Sequence, residues 1–178
     1  MKGPNLHGPD VASRQLRKAP LDWIAAELDR LRACPAVLDH IANAPDYSSG
    51  GMTQAISDLR VDLPRFFACE SAVILPILRL AAHRDDDIET ACRILTANHR
   101  LLSGGIREIL PRLDAFRSAE APLGSDTWLV EQLHDLATRI RGHLALTAAV
   151  ILPIARLRFK PADIDLLADE LARQLGIA

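Results

Sequence analysis

Aromatic residues and clustered positive charges are both scarce in this chain. Phe, Trp and Tyr together make up 4% of its 178 residues, and the formal net charge is −2. A fold built from β-strands would use more aromatic and β-branched residues, so the composition favours helices packed on helices. Nucleic-acid-binding surfaces usually carry basic patches interleaved with aromatic residues. Since this sequence has neither, we expect no nucleic-acid partner.

Cysteine is also rare, and its three copies do not have the spacing of a metal site. Cys34, Cys69 and Cys92 lie far apart and form no Cys-x-x-Cys pair. We therefore expect them to be small buried hydrophobic residues rather than zinc ligands or partners in a disulfide. Free thiols are typical of a reducing compartment, which favours a cytoplasmic protein.

Long hydrophobic segments are missing as well. A membrane-spanning helix needs about 20 apolar residues. Glu70, Arg79 and Arg156 interrupt the most apolar stretches of this chain. Residues 1–20 are polar and contain no hydrophobic core of a signal peptide. The sequence therefore predicts no membrane partner.

Four segments carry an apolar residue at alternating intervals of three and four positions. They span residues 21–42, 52–80, 88–116 and 129–157. This spacing places the apolar residues of each helix on one stripe that faces its partners. The links between segments are short and rich in turn-forming residues, so consecutive helices should lie antiparallel. The sequence thus predicts an all-α fold, an up-down-up-down antiparallel four-helix bundle that forms one domain over residues 20–178.

The two ends of the chain are predicted to add an arm and one short helix. Residues 1–19 should form an irregular N-terminal arm, and a fifth helix should start near Pro161 and end at Gly176. The leucines of this fifth helix could dock on the bundle or form a homodimer. Proline bends a helix at the preceding turn, and we expect this at Pro64, Pro76, Pro111 and Pro153.

One pentapeptide, AVILP, occurs twice in this chain. The copies lie 77 residues apart, within stretches that match at eight of ten positions. The residues just before them differ in chemistry, because Phe66 corresponds to His143 and Glu70 corresponds to Thr147. The two copies therefore predict equivalent inward-facing turns of the second and fourth helices that carry different polar groups.

Polar side chains occupy core positions in three of the predicted stripes. Glu70, His99, His143 and Thr147 each lie where the apolar pattern continues on both sides. A buried carboxylate is costly unless it is paired, hydrogen-bonded or bound to a metal ion. Near the middle of an antiparallel bundle, Glu70, His99 and His143 should converge, and we call them the Glu–His–His cluster. Two imidazoles and one carboxylate form a ligand set that suits a divalent iron.

Other ionisable residues have simpler interpretations. Glu27 lies beside the core stripe of the first helix, so we expect it to form a surface or interhelical ion pair. The remaining histidines are expected to lie on the surface or to cap helices; they are His7, His40, His83 and His134.

Four stretches, in order along the chain, resemble the helices of the hemerythrin-like HHE cation-binding domains. They are LDWIAAELDRLR from Leu21, DLRVDLPRFFACESAVILPILR from Asp58, NHR from Asn98 and GHLALTAAVILPIARL from Gly142. In that family the second and fourth helices each carry His-x-x-x-Glu, then an apolar run and a proline. The resemblance covers about residues 20–177. It implies a four-helix bundle with a non-heme di-iron centre for oxygen transport, oxygen or iron sensing, or related redox chemistry.

The metal ligands of that family carry over only in part. By resemblance, the histidines of the first and second helices fall on Leu28 and Phe66. The residue after the second histidine is Phe67, and the carboxylate of the fourth helix is replaced by Thr147. Only the Glu–His–His cluster remains, which corresponds to both histidines of one iron and one bridging carboxylate. We therefore predict no di-iron centre and at most one metal ion.

Two functions remain open. In the first, the chain is a metal-free binding or regulatory module. Apolar side chains then fill the volume of the lost ligands, from Leu28, Leu31, Phe66 and Phe67, and Glu70 forms a hydrogen-bonded ion pair with His99 or His143. Alternatively, Phe66 and Phe67 wall a pocket for a small apolar ligand. In the second, the cluster holds one iron or zinc ion, with Thr147 or water alongside, for oxygen, iron or redox sensing.

The sequence contains no nucleophile–base pair and no phosphate-binding loop, so it favours a non-enzymatic role with a protein or small-molecule partner.

Overall fold

Helices make up nearly all of the chain that the structure, a computed structural model, describes. The backbone is described for residues 9–177 and the side chains for residues 14–177. Within residues 9–177 there is no β-strand, and short links join one helix to the next. The predicted all-α class is confirmed.

We number the helices α1 to α7 in chain order. Their bounds are α1 Pro9–Lys18, α2 Pro20–Leu31, α3 Ala33–Asn43, α4 residues 49–81, α5 Ile88–Ala119, α6 Thr127–Arg158 and α7 Pro161–Leu175. Helix α4 consists of Ser49–Ser57, a π turn at Asp58–Asp62, Leu63–Cys69, a second π turn at Glu70–Ile74 and Leu75–Ala81. Helix α6 consists of Thr127–Leu146, a π turn at Thr147–Ile151 and Leu152–Arg158. Single 3₁₀ turns at Arg84–Asp86 and Leu123–Ser125 precede α5 and α6.

The prediction of an irregular N-terminal arm is wrong for residues 9–18, which form helix α1. Leu16 is fully buried, and α1 packs against α2 and α7. Few apolar residues occur in this segment, so its sequence carries little helical periodicity and the helix depends on tertiary packing. Residues 1–8 of the predicted arm lie outside the described residues.

The first predicted helix is divided in two, because α2 ends at Leu31 and α3 starts at Ala33. Pro35 lies just after this break and has no N–H to donate to the Leu31 carbonyl four residues earlier. The loss of that hydrogen bond explains why the helix is interrupted here.

Three of the four prolines that the sequence places inside helices follow a π turn; they are Pro64, Pro76 and Pro153. In each such turn the leucine before the proline donates its N–H to the carbonyl five residues back: Leu63 to Asp58, Leu75 to Glu70 and Leu152 to Thr147. A proline ring clashes with the carbonyl four residues before it, and a widened turn accommodates the ring within a continuing helix. Pro111 differs, because α5 continues past it without a π turn.

The three π turns share a second property. Each begins at a buried polar residue, Asp58, Glu70 or Thr147, which are 4%, 0% and 0% exposed. Among the described helices, these turns therefore place polar side chains inside an otherwise aliphatic core.

The predicted apolar stripes form the core of the molecule. Leu28, Leu95 and Ile140, from three different stripes, are at most 1% exposed. The predicted burial is wrong at Leu80 and Leu157, which are 88% and 70% exposed. Both lie in the last turn of their helices, where the neighbouring helices no longer cover the stripe. The three cysteines are free and buried, as predicted.

The predicted C-terminal helix is confirmed as α7. It starts at Pro161, and Gly176 ends it with a positive φ of 66°, a conformation that glycine adopts without steric cost. Leu167 and Leu171 are fully buried, because α7 packs against α1, α2 and α4. Leu166 is 46% exposed on the opposite side of the helix.

Helix α6 is long and apolar enough to cross a membrane by the criteria of length and composition. Its most apolar window has a mean hydropathy of 1.4, and 39% of that window is buried inside the protein. The core helix of a soluble bundle meets the same criteria, so a single helix of this kind is weak evidence for a membrane location.

Candidate metal centre

The Glu–His–His cluster is assembled from the middle of three helices. Glu70 begins the second π turn of α4, His99 lies near the centre of α5, and His143 lies on α6 just before the π turn at Thr147. Glu70 and His143 are fully buried, and His99 is 8% exposed. The structure thus brings together the three residues that the sequence singled out. That they bind a metal ion stays a prediction.

Both imidazoles of the cluster face the same carboxylate oxygen. Nε2 of His99 lies 2.8 Å from Oε2 of Glu70, and Nε2 of His143 lies 2.7 Å from that same oxygen. The Thr147 hydroxyl donates to the other oxygen, Oε1, at 2.7 Å. The carboxylate of Glu70 therefore has a polar partner on each oxygen although it is removed from water.

The hydrogen-bond partners of Glu70 determine the pKa of its carboxyl group. Burial by itself raises the pKa of its carboxyl group, but the hydrogen bonds from the two imidazoles and the Thr147 hydroxyl outweigh burial and lower the pKa to about 2. Glu70 is thus a carboxylate at neutral pH, held in the core by donors that come from two other helices.

Two further residues, Ser71 and Phe67, complete the surroundings of the cluster, and the contacts of neither were predicted from the sequence. The Ser71 hydroxyl lies 2.8 Å from Nδ1 of His99. The ring of Phe67 packs against both imidazoles, with centroid distances of 4.8 Å to His99 and 4.9 Å to His143. A signal for Ser71 was present, because it is one of the two mismatches within the otherwise matched ten-residue stretches.

The two imidazoles differ in what their second nitrogen meets. Nδ1 of His99 has the Ser71 hydroxyl, whereas Nδ1 of His143 is buried and has no hydrogen-bond partner among the residues that the structure describes. If Nε2 of His143 carries the proton, it donates a hydrogen bond to Glu70, and Nδ1 is unprotonated and can only accept a hydrogen bond. A protonated Nδ1 would leave a buried N–H unsatisfied, so the geometry favours the first tautomer in the metal-free protein.

The cluster could hold one metal ion. One donor atom from each of its residues lies within 4.8 Å of the other two, and all three side chains are buried. Two imidazoles and one carboxylate suit divalent iron or zinc and leave coordination positions for water or a ligand. Within the described part of the chain, no other group of three His, Cys, Asp or Glu side chains converges in this way.

Phe66 and Phe67, which the sequence suggested as possible walls of a small apolar pocket, have different surroundings. Phe67 packs on the cluster, but Phe66 lines a separate cavity of about 240 Å³. This cavity is not apolar throughout, because charged groups of Arg30 and Asp62 line it together with Trp23. Consecutive residues of a helix point about 100° apart, which explains why the two rings face different spaces.

The remaining ionisable residues behave largely as predicted. Glu27 pairs with Arg30 at 2.9 Å on the surface of α2. His83 caps the 3₁₀ turn that follows α4, and His134 lies 2.8 Å from Asp39, while His40 is exposed. His7 lies outside the described residues.

Comparisons with known proteins identify no relative of this chain. No protein-family model, no curated protein and no solved structure matches it. The case for a function therefore rests on the residues of the chain and on the geometry of the Glu–His–His cluster.

Proposed function

We propose that this protein is a cytoplasmic hemerythrin-like module whose Glu–His–His cluster binds a single divalent metal ion, iron or zinc. The observation that carries the proposal is the convergence of Nε2 of His99 and Nε2 of His143 on one oxygen of Glu70 inside an aliphatic core. Replacing a buried polar cluster by apolar residues is often neutral or stabilising, so stability alone gives no reason to keep one.

The same proposal includes the up-down-up-down antiparallel bundle, with α2 and α3 together forming its first helix. Ion pairs between α4 and α5 support it, because Arg60 pairs with Asp114 and Arg79 pairs with Glu89, so residue numbers rise along one helix as they fall along the other. Asp22 of α2 likewise pairs with Arg156 near the end of α6. Such an arrangement places the midpoints of the helices, and thus the cluster, in one layer.

One metal ion fits this cluster, but two do not. The positions that correspond by resemblance to further ligands are Leu28, Phe66 and Phe67, which are buried and have no donor atoms. Thr147 offers a hydroxyl where a bridging carboxylate would be needed, and this hydroxyl already donates to Glu70. Reversible oxygen carriage by two irons is therefore not part of the proposal.

The residues of this chain would have defined tasks around a bound ion. An iron ion with two imidazoles and one carboxylate supplies a redox-active centre with open positions, whereas zinc supplies a structural or Lewis-acid centre. Ser71 would accept the Nδ1–H of His99 and fix the orientation of that ring. Phe67 would shield both imidazoles from water. A role in sensing oxygen, iron or redox state, read out by a protein partner, suits such a centre better than turnover of a substrate.

A second candidate, a metal-free regulatory module, is favoured by a specific observation. Metal-binding histidines nearly always donate their other N–H to an acceptor, and Nδ1 of His143 meets none within the described residues. Glu70 also has hydrogen bonds on both oxygens without a metal ion. In this candidate the cluster is a buried polar network that fixes the pairing of three helices.

Isothermal titration of chelator-stripped protein with Fe(II) and with Zn(II) separates the two candidates. We expect one equivalent to bind to the wild-type chain and binding to be lost in Glu70→Gln, a variant that keeps the shape of the side chain. The matched control is His134→Gln, which removes a histidine of α6 outside the cluster and should bind as the wild type does. If the wild-type protein binds neither metal, the metal proposal is wrong and the metal-free module stands. If Glu70→Gln binds as well as the wild type does, the ion lies outside the Glu–His–His cluster and both candidates are wrong.

A further inference from the structure

The outer side of α6 exposes an apolar surface that the rest of the described chain does not cover. The most apolar window of this helix has a mean hydropathy of 1.4, yet only 39% of it is buried. Over residues 142–155 every exposed residue is small and uncharged; they are Gly142, Ala145, Ala149 and Pro153. We call these four residues the outer face of α6. Leu157 continues the face at its end and is 70% exposed. A contiguous apolar surface of this kind marks a contact with another molecule.

The other two long helices expose charge instead. Helix α5 has Arg93, Arg100 and Arg107 at exposed positions. In α4 the other copy of the repeat lies between Arg65 and Arg79, which are both exposed. Like charges that meet across an interface disfavour association, so neither α4 nor α5 offers a face that is complementary to itself.

Charges of opposite sign flank the outer face of α6. Glu131 and Asp135 precede it, Arg156 and Lys160 follow it, and all four are exposed. Their spacing is symmetric about residues 145–146. An inner pair, Asp135 and Arg156, lies ten residues from this centre on either side. An outer pair, Glu131 and Lys160, lies fourteen residues from it. The acidic end and the basic end of α6 are therefore equally far from the middle of the uncharged face.

This charge pattern is complementary to itself when two copies of α6 lie antiparallel. A two-fold axis near residues 145–146 places Glu131 at the level of Lys160 of the second copy, and Asp135 at the level of its Arg156. Parallel copies would instead bring acid to acid and base to base. The small residues in the middle let the two helices approach closely, because the distance between helix axes depends on the side chains at the contact.

The charges of the outer pair are available for such a contact. Neither Glu131 nor Lys160 forms an ion pair with another residue in the described part of the chain. The inner pair has partners within the chain, since Asp135 pairs with Arg139 and Arg156 pairs with Asp22. These four side chains are between 49% and 64% exposed, so the two ion pairs contribute little and can exchange for pairs across the dimer.

We infer that two copies of this chain form a homodimer through the outer face of α6, with the two helices antiparallel. This inference goes beyond the proposed function and requires no metal ion. His143 and Thr147 are buried on the opposite side of the same turns of α6. The dimer therefore has one Glu–His–His cluster on each side of the interface, with a single helix between the cluster and the interface.

Sedimentation equilibrium of the whole chelator-stripped chain tests the inference, and we expect a species with twice the mass of one chain. Ala145→Arg should raise the dissociation constant of the dimer about a hundredfold or more, because like charges then meet at the two-fold axis. The matched control is Ala97→Arg, which replaces an exposed alanine of α5 outside the outer face and should stay dimeric. Circular dichroism checks that both variants keep their helices.

An exchange of charges tests the antiparallel arrangement. Glu131→Lys alone should raise the dissociation constant about tenfold, since the dimer contains the outer pair twice and both copies become repulsive. Adding Lys160→Glu to this variant should restore the wild-type dissociation constant, because the two charges are then attractive again.

Three results would overturn the inference: a monomer at every concentration measured, unchanged association of Ala145→Arg, or no recovery in the double variant. A chain that stays monomeric and sediments with phosphatidylcholine vesicles would assign the outer face to lipid instead. These measurements use metal-free protein, so their failure leaves the outcome of the metal titration unaffected.

Discussion

Asp58 and Glu70 are buried carboxylic acids that occupy the same kind of position on helix α4. Each begins a π turn, and each turn ends at a Leu-Pro pair. Their side chains are 4% and 0% exposed, so both have left water almost completely.

The surroundings shift the two pKa values in opposite directions. Burial raises the pKa of Asp58, and the hydrogen bond from Gln54 at 2.8 Å does not offset it, partly because the charge of Asp62 lies close by. Glu70 is buried more deeply, yet its pKa is lowered, because the cluster imidazoles and Thr147 all act on its carboxylate. The π turn places an acid in the core, but side chains from other helices determine whether its charge is stabilised there.

The largest effect is expected when the better-stabilised acid is removed. Glu70→Ala leaves two imidazoles and the Thr147 hydroxyl without their acceptor and opens a cavity, so the free energy of unfolding should fall by about 3–5 kcal/mol. Urea denaturation of the chelator-stripped proteins, followed by circular dichroism, measures this change. Glu108→Ala, at an exposed position of α5, is the control and should change stability by less than about 0.5 kcal/mol. A loss of under about 1 kcal/mol in Glu70→Ala would mean that the cluster contributes little to the fold.

Acid should destabilise the protein through Glu70. Its folded pKa, about 2, lies below its ordinary value of 4.5, so the unfolded chain binds more protons between these values. The stability that Glu70 contributes is therefore fully present above about pH 4.5 and is lost as the pH falls towards 2, by on the order of 3 kcal/mol.

The measurement for this second prediction is the urea midpoint between pH 6 and pH 2.5, compared for the chelator-stripped wild-type chain and chelator-stripped Glu70→Gln. The variant has no carboxyl group at this position, so its midpoint should fall less steeply with acid. Parallel curves for the two proteins would show that another group controls acid unfolding.

A smaller effect is expected from Thr147, the residue that replaces a carboxylate in the second copy of the repeat. Thr147→Val keeps the shape of the side chain but removes the donor to Oε1 of Glu70, which should cost about 2 kcal/mol, as for hydrogen bonds to charged groups. Thr138→Val is the matched control, because that hydroxyl bonds only to the backbone carbonyl of His134 on an exposed face of α6. Equal losses in both variants would mean that the bond to Glu70 adds nothing beyond a helical threonine.

The smallest effect, and one of opposite sign, is expected at Asp58. Its folded pKa is raised, so the folded protein binds more protons in that window and stability falls as the pH rises through it. At neutral pH this penalty is fully present, and Asp58→Asn should remove it and raise stability by less than about 1 kcal/mol. Differential scanning calorimetry at pH 7 measures the change. Asp62→Asn is the control and should not stabilise, since Asp62 pairs with Arg30. A destabilised Asp58→Asn would remove the contrast with Glu70.

The sequence predicted the parts of this molecule that depend on local periodicity. Apolar residues at intervals of three and four positions identified the buried stripes of α2 to α6, and the same pattern exposed Glu70, His99 and His143 as polar residues at core positions. Pro161 and Gly176 marked the limits of α7 because each has a conformational preference at a helix end.

Other features depend on tertiary contacts that periodicity does not encode. Helix α1 has few apolar residues and is held by packing, and the ring of Phe67 is directed at the cluster only through the geometry of three helices. The local sequence predicts the π turns only in part. Leu-Pro follows each of them, but Leu110-Pro111 lies in α5 without one. The position five residues before that leucine is Gly105, not a buried polar residue, so the Leu-Pro pair alone does not predict a π turn.

Anomalous diffraction from crystals of protein purified without chelators, collected at the iron and zinc edges, tests the central claim most directly. We predict one anomalous peak at bonding distance from Glu70, His99 and His143, at the edge of one of these metals. Crystals of Glu70→Gln prepared in the same way should lack the peak. The absence of any peak in the wild-type protein, or a peak away from these three residues, would contradict the account of a single metal centre in the Glu–His–His cluster.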